Sequence, residues 1–435
     1  MSPHAVNIQD APVRIQEELE SFAVTRNAFL PHNRPSKHLE DVYYEPWELV
    51  AQHLPQLIRE ERIRGAIDTL PILSTERLTS EAEWRRAYVI LAFFTHAYIW
   101  GGEEPSETLP PQVTIPFLKV SAHLELPPVL TYAACVLWNF TSEGDDFSQI
   151  DDLSTLVTFT GTESESWFYL ISVAMEARAG GIIQKMMEAV SSVKARDYDT
   201  ITESLDQLRE CIRSVGLLLD RMYERNDPMT FYYHIRPFLA GSKNMEASGL
   251  PRGVFYDQGN GKGQWVQLRG GSNGQSSLIQ FFDVALGVEH QGHGTKASAK
   301  TGTAEKSYHE EVRDYMPGPH SRFLTHIARM GSVRELAMVE PTNDAQAKLR
   351  RSYIAATEAL TEFRNRHIQI VTRYIILPSK QPWTGGKKKN LASTSTERAA
   401  MLTKSEELTG TGGTQLVPFL KQARDETTHA GRLVR

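Results

Sequence analysis

The chain has 435 residues, which at about 100 to 200 residues per domain predicts two or three domains, or one large helical body with a smaller one attached. Hydrophobic residues make up 40% and charged residues 23% of the chain, a composition that excludes wholesale disorder and a fibrous architecture. The formal net charge of -6 argues against a nucleic-acid partner, because such binding needs a concentrated basic surface.

Cysteine usage and the amino terminus point to a reducing compartment. Cys135 and Cys211 are too few for a disulfide framework, and no Cys-x-x-Cys spacing offers a zinc or iron-sulfur site. The first twenty residues lack the apolar run of a signal peptide, and no stretch reaches the roughly 18 apolar residues of a membrane span. We therefore expect a cytoplasmic protein with no membrane partner.

The amino-terminal part of the chain is predicted to be an arm followed by helices. Residues 1–42 are mostly polar and contain Pro31 and Pro35, so we expect an extended arm. A helical pattern starts near Pro46, and Pro55 should kink or split it. A second helix, over residues 80–100, is apolar nearly all round and should be buried, ending at a glycine pair.

The middle of the chain combines helices with one predicted hairpin. Residues 121–140 suggest a short helix, a proline pair and a further apolar helix, and we place a domain boundary near Leu153. Amphipathic helices are predicted over residues 163–193 and 199–225. Residues 253–272 contain aromatic and β-branched runs around a Gly-Asn-Gly turn, which predicts a β-hairpin. Residues 290–306 should form a mobile loop.

The most regular pattern is a helix of residues 342–376, which Pro378 should stop. Residues 379–409 carry helix breakers and a lysine run, so we expect a flexible loop. The predicted fold class is all-α: a small helical domain at residues 43–153 and a large helical domain at residues 154–435, with a minor β-hairpin.

His367 lies on the apolar stripe of this last helix, where a hydrophobic residue is the usual occupant. A neutral imidazole there could bind a metal inside the bundle, although a hydrogen-bonded core histidine is the commoner use of such a position. His96 and His234 lie in similarly apolar sequence and compete for the role. Arg364, one turn earlier, could neutralise a cofactor carboxylate, and a single histidine ligand suits haem better than zinc, which needs at least three protein ligands.

Three further segments could bind a ligand or be purely structural. Residues 410–414 (GTGGT) precede an apolar helical pattern, so they could hold an anion or act as a hinge. Arg236, within FYYHIRPFLAG, could receive a ligand carboxylate or form a structural ion pair. Residues 270–277 (GGSNGQSS) could approach a ligand closely or form the exit from the hairpin.

Six stretches together resemble the indoleamine 2,3-dioxygenase family, and in particular its fungal members. They are ELPPVLTYAACVLWN, FYYHIRPFLAG, GGSNGQSSLIQFFDV, YMPGPHSRFL, RNRHIQIVTRYIILP and GTGGTQLVPFL, in the family's order from about residue 43 to the carboxyl terminus. The resemblance implies an oxidoreductase that uses haem b and O2 to open the indole ring of L-tryptophan. Both oxygen atoms enter the product, N-formyl-L-kynurenine, at the first step of the kynurenine pathway towards NAD.

The resemblance also implies a role for each matching residue. His367 corresponds to the proximal iron ligand, Arg364 to an arginine that pairs with a haem propionate, and Asp283 to an acid of the same network. Arg236 would accept the substrate carboxylate, and no protein acid or base is required. The other implied contacts are haem-pocket positions at Gly271, Ser272, Phe168 and Val136, and substrate positions at Phe231, Tyr232, Tyr132, Cys135, Ser172, Thr411 and Gly412.

Tyr232 departs from the family pattern, in which a second phenylalanine is usual. The implied partners are L-tryptophan, O2 and an electron donor that keeps the iron ferrous, and we expect a monomer. Two alternatives stay open at this point: a haem-binding sensor with weak or no tryptophan turnover, and a haem-free helical interaction protein in which His367 is a core residue.

Overall fold

The computed structural model describes residues 10–290, 308–381 and 416–432. It confirms the predicted all-α class, with a few short strands. The α-helices are α1 (Asp10–Ser21), α2 (Glu45–Gln52), α3 (Leu54–Arg59), α4 (Ile63–Asp68), α5 (Glu81–Trp100), α6 (Pro111–His123), α7 (Glu163–Arg178), α8 (Gly180–Ser192), α9 (Tyr198–Asp220), α10 (Met222–Arg225), α11 (Pro228–Thr230), α12 (Arg236–Leu239), α13 (Ser277–Leu286), α14 (Tyr308–Arg313), α15 (Gly318–Met330), α16 (Val333–Ala337), α17 (Asp344–Val371), α18 (Leu377–Ser379) and α19 (Leu416–Ala430).

The amino-terminal segment is folded, so the predicted extended arm is wrong for its described residues. Helix α1 covers Asp10–Ser21, and the segment after it buries Phe29 and Leu30. The Phe29 ring lies 4.9 Å from the His320 ring and 5.9 Å from the Phe323 ring of α15, measured between ring centroids. The apolar run before Pro31 therefore anchors the segment to the core, although it is too short to show a periodic pattern.

Helix α5 is buried, as predicted. Ser80 and Glu83 form a capping box at its start, and Gly101 follows its last residue. Nearly every side chain from Arg86 to Trp100 is buried, which agrees with a sequence that is apolar on all sides. The prediction that Pro55 splits the preceding helix is confirmed, because α2 and α3 are separate helices that meet at His53.

Helix α17 is the backbone of the larger helical group. Its 28 residues, at 1.5 Å per residue, span about 42 Å, and it packs along α9 and α19. Asn343 caps its amino terminus by accepting a hydrogen bond from the Gln346 amide. The predicted helix of residues 163–193 is broken: α7 ends at Arg178 and α8 begins at Gly180.

The predicted hairpin is confirmed and belongs to a three-stranded sheet. Strands β4 (Val254–Gly259) and β5 (Lys262–Val266) are antiparallel, with Asn260 in the left-handed conformation at the turn. Strand β1 (Thr108–Leu109) adds to β4 in parallel, a pairing that the sequence did not suggest. Strands β2 (Phe140–Ser142) and β3 (Leu153–Thr155) form a separate antiparallel pair.

Turns of π-helix occur where the chain passes the main cavity. They cover Ala133–Leu137, Phe231–Ile235 and Thr372–Ile376, and each contributes side chains to the cavity wall. The apolar helix predicted within residues 121–140 is reduced to the first of these turns. Such wide turns are frequent at functional sites because they displace side chains from the helical register.

Most of the buried hydrophobic residues in the described ranges belong to one connected cluster that extends from Leu19 to Ala430. The division into domains at residues 43–153 and 154–435 stays a prediction. No helix in the described ranges is both long enough and apolar enough to cross a membrane.

Candidate active site

A cavity with a volume of about 230 Å³ lies between α7, α13, α17 and α19 and the π turns. Apolar side chains dominate its wall. The predicted site residues that line it are Tyr132, Cys135, Val136, Phe168, Ser172, Phe231, Arg236, Gly271, Ser272, Asp283, Arg364 and His367.

His367 faces the cavity from α17, beside Phe363 and Ile370 on the same helix. Burial, with a smaller contribution from the positive charge of Arg364, lowers the pKa of His367 to about 4. The imidazole is therefore neutral at physiological pH. Neutral imidazole is the form that binds iron, so the position and the charge state are both those of a metal ligand.

His96, a competing histidine, is a core residue. Its Nδ1 lies 2.6 Å from the carbonyl oxygen of Phe238, and its Nε2 accepts a hydrogen bond from the Leu130 amide at 3.2 Å. Both ring nitrogens are thus engaged within the protein. Neither His96 nor His234 is among the described residues that line the cavity.

Arg364 and Asp283 form a buried ion pair at the cavity wall. The Arg364 Nη2 atom lies 2.8 Å from each Asp283 carboxylate oxygen, and Arg364 also hydrogen-bonds Thr427 of α19. Burial opposes ionisation of Asp283, but Arg364 and His290 outweigh it and hold the pKa of Asp283 well below its usual range. The structure thus joins two predicted residues that lie 81 positions apart in the chain.

His290 extends this ion pair into a chain of alternating charges. Its Nε2 lies 3.0 Å from Asp283 Oδ2, and its Nδ1 lies 2.6 Å from Glu426 Oε2. Burial disfavours a charged ring, but the hydrogen bonds and charge of Asp283, together with Glu426, raise the pKa of His290 above its usual value. His290 is therefore an imidazolium that connects α13 to α19.

The ligand atoms of Asp283, His290 and His309 lie within 4.8 Å of one another, which raises the question of a metal ion here. The two imidazole rings are stacked, with centroids 3.7 Å apart and planes 11° apart, so one ion cannot lie in the plane of both rings. Both His290 nitrogens are also engaged by carboxylates. The arrangement fits a protonated His290 stacked on a neutral His309 better than a shared metal.

Another part of the cavity wall is aromatic. The Phe168 and Phe231 rings lie 4.8 Å apart at an angle of 51°. Burial raises the pKa of the Cys135 thiol, which therefore stays protonated and apolar. Arg236 brings a guanidinium to this wall, where burial lowers its pKa without removing its charge at neutral pH.

Tyr232 is placed differently from the predicted substrate contact. It is buried and lies outside the described lining, 4.9 Å from the Tyr233 ring, with the Arg236 guanidinium 5.5 Å from its own ring centroid. Because Phe231 faces the cavity, the next residue of the π turn points elsewhere. The Tyr232 ring therefore contacts the Arg236 guanidinium without lining the cavity itself.

The turn that carries Gly271 and Ser272 depends on a close backbone contact. A Cβ atom at Gly270 would lie 1.9 Å from the Leu239 carbonyl oxygen, so only glycine fits there. The contact holds the turn against α12, and the Ser272 hydroxyl then accepts a hydrogen bond from the Gly274 amide at 3.2 Å. Thr411, Gly412 and the predicted loop beyond residue 381 lie outside the described residues.

Sequence reasoning missed three polar residues near the site: Glu176, His290 and His309. Glu176 and His309 line the cavity, and His290 forms a hydrogen bond with Asp283. The two histidines lie at the two ends of the predicted loop of residues 290–306. Their positions gave only a weak indication that the two ends of this segment lie close together. Glu176 gave no signal, because a glutamate on an amphipathic helix normally faces solvent.

Comparison with known proteins identifies the family. The indoleamine 2,3-dioxygenase family matches this chain over residues 18–430. An indoleamine 2,3-dioxygenase of Aspergillus nanangensis is 38% identical over 96% of this chain and 98% of its own length. A 6-hydroxytryptophan 2,3-dioxygenase of Fusarium equiseti is 38% identical (95% and 97%), and the indoleamine 2,3-dioxygenase of Saccharomyces cerevisiae is 37% identical (98% and 95%). The chain therefore belongs to the indoleamine 2,3-dioxygenase family of oxidoreductases.

Proposed function

We propose that this protein is a haem b-dependent dioxygenase that adds both atoms of O2 across the indole C2–C3 bond of L-tryptophan to give N-formyl-L-kynurenine. The observation that carries the proposal is a neutral histidine, His367, in the wall of a predominantly apolar cavity that aromatic rings and a guanidinium also line. Family membership supplies the reaction class.

The residues at the cavity fit a haem. The wall is predominantly apolar, as a flat hydrophobic macrocycle requires, and His367 offers a single neutral nitrogen ligand. Arg364 lies one turn from His367 and brings a positive charge towards a propionate, while Asp283 fixes its orientation. When bound, haem supplies the redox-active iron that O2 chemistry needs. On this proposal Val136, Phe168, Gly271 and Ser272 also contact the haem.

The chain's own contribution is binding and orientation. Arg236 would bind the substrate carboxylate through charge-assisted hydrogen bonds, and the rings of Phe231 and Phe168 would pack against the indole. The thiol of Cys135, held neutral by burial, adds apolar surface without acting as a nucleophile. Tyr132 and Ser172 add hydroxyl groups at the wall, and Thr411 and Gly412 are proposed to contact the amino-acid end of the substrate.

A ring-hydroxylated tryptophan is a second candidate substrate. One relative, 38% identical to this chain, is described as a 6-hydroxytryptophan 2,3-dioxygenase. The residues that line the cavity include Tyr132 and Ser172, whose hydroxyl groups could hydrogen-bond a phenolic group on the indole ring. The same proposal includes a role in the kynurenine pathway towards NAD and an electron donor that keeps the iron ferrous. It also includes a monomeric state and a cytoplasmic location.

The test is to compare His367→Ala with His96→Ala. We expect the His367 variant to fold but to purify with little haem, because the proposed ligand is gone. The His96 variant should lose stability, since two buried hydrogen bonds are removed, and should still bind haem. Full haem retention in His367→Ala would contradict the assignment, and haem binding without product from either tryptophan would favour a sensor.

A further inference from the structure

Glu176 is a buried acid at the cavity wall that the proposed reaction does not use. Its side chain has no exposed surface. The Tyr132 hydroxyl donates a hydrogen bond to Glu176 Oε1 at 3.0 Å, and the Ser276 hydroxyl donates to the same oxygen at 2.9 Å. Within the described residues, Glu176 Oε2 has no hydrogen-bond partner. A carboxyl group in this position is costly to bury, so its protonation state must matter to the groups around it.

The groups that hold Glu176 are themselves fixed. The Tyr132 amide donates to Gln275 Oε1 at 2.9 Å, and Ser276 caps α13 through the Ile279 amide. Ser172 precedes Glu176 by one turn on α7, and Ser172, Glu176 and Tyr132 all line the cavity. Tyr132 therefore links the buried carboxyl group to the cavity wall.

We propose that Glu176 is a positioning residue that decides whether the Tyr132 hydroxyl group accepts a hydrogen bond from the bound ligand or donates one to it. This inference rests on the proposed function only in taking an indole as that ligand.

The direction of the Tyr132–Glu176 hydrogen bond follows from the chemistry of a carboxyl group. An ionised carboxylate can only accept, so the Tyr132 O–H points to Glu176 and the Tyr132 oxygen is left to accept from the ligand. A Glu176 protonated on Oε1, the oxygen that faces Tyr132, can instead donate to Tyr132. The Tyr132 O–H is then released to donate to the ligand.

Both states are accessible near neutral pH. Burial raises the pKa of Glu176 to about 7, against the opposing hydrogen bonds of Ser276 and Tyr132. Tyr132 from the π turn and Ser276 from α13 are the groups that act on this carboxyl group, and no charged side chain of the described chain adds to the shift. Buried Glu165, on the same helix, accepts hydrogen bonds from the amides of Phe159 and Thr160.

The main test compares two ligands that differ in one hydrogen-bond donor. L-Tryptophan carries an indole N–H, whereas its benzofuran analogue has an oxygen acceptor in the same place. Their amino-acid groups titrate alike, so the ratio of their dissociation constants, measured by equilibrium dialysis with the haem-loaded protein, reports only the contact at the ring. We expect the preference for tryptophan to rise by about two- to tenfold between pH 6 and pH 8, the range that one neutral hydrogen bond supplies.

Variants separate this role from a structural one. Glu176→Gln and Tyr132→Phe should each give a ratio that does not change with pH, whereas Glu163→Gln, an exposed position on the same helix, should behave as the unaltered protein. A ratio independent of pH in the unaltered protein, or an unchanged pH dependence in Glu176→Gln, would overturn the proposal.

A ligand-free measurement keeps the inference testable if the cavity does not bind an indole. Infrared difference spectra between pH 6 and pH 8 should show one carboxylic-acid C=O band that disappears on ionisation and is missing in Glu176→Gln. The band should persist in Tyr132→Phe. If the spectra of the unaltered protein and Glu176→Gln are identical, Glu176 does not titrate in this range and the proposal is wrong, whatever the substrate.

Discussion

Breaking the Arg364–Asp283 ion pair should destabilise the protein strongly, and the cost should not be additive. The two side chains are only 10% and 5% exposed, and their closest atoms lie 2.8 Å apart. Removing one partner of such a buried pair typically costs about 3 to 5 kcal/mol, because the remaining charge stays buried without compensation. In Asp283→Ala that charge is Arg364, whose guanidinium cannot lose its proton.

The measurement is a double-mutant cycle with Asp283→Ala, Arg364→Met and the double variant, using free energies of unfolding from urea titration. We expect the double variant to be more stable than the sum of the single effects predicts, by about 1 to 3 kcal/mol, because neither charge is then left alone. The exposed pair Arg252–Glu107, with side chains 64% and 42% exposed and 3.3 Å apart, is the matched control. Its coupling should be at most about 1 kcal/mol. Additive effects at the buried pair would refute the reasoning.

Three further predictions concern the substrate arginine, the glycine turn and the buried imidazolium. Arg236→Ala should lower kcat/KM for tryptophan by roughly tenfold to a few hundredfold, the equivalent of about 1.5 to 3 kcal/mol for a charge-assisted contact, and a value within twofold of the unaltered enzyme would show that the assignment is wrong. Gly270→Ala should cost about 1 to 3 kcal/mol of stability, because its methyl group would lie 1.9 Å from a carbonyl oxygen. Gly65→Ala, in an exposed helical position with nothing within 4 Å, should be neutral or stabilising. Equal effects of the two substitutions on thermal unfolding would contradict the packing argument. The pKa of His290 is raised in the folded state, so its contribution to stability is complete below about pH 6.5 and is lost as the pH rises through the pKa of the folded state. In His290→Gln, the free energy of unfolding should therefore fall less as the pH is raised. An identical decline in both proteins would exclude His290 as its source.

Periodicity and breaker residues predicted the long helices well. The stripe that includes Leu349, Tyr353 and Phe363 correctly placed α17, and the same pattern put His367 among the residues that border the cavity. These features could be predicted because helix length, caps and apolar faces are local properties of the chain.

Features that depend on tertiary contacts were not predicted. The break between α7 and α8 has no proline signal, but a Cβ atom at Gly180 would lie 1.9 Å from the Arg26 carbonyl oxygen, so the approach of a distant segment requires this residue. His290 and Glu426 are 136 positions apart, and nothing near either residue indicates the other. Glu176 is recognisable as a buried acid only once α7, α13 and the first π turn are assembled.

The most direct test of the central claim is a product analysis with isotopically labelled oxygen. The haem-loaded protein, reduced under anaerobic conditions, is mixed with L-tryptophan and 18O2, and the product is identified by chromatography and mass spectrometry. We predict N-formyl-L-kynurenine carrying both labelled atoms, and no product from His367→Ala. Cleavage of tryptophan without a second labelled atom, or undiminished product formation by His367→Ala, would contradict this claim.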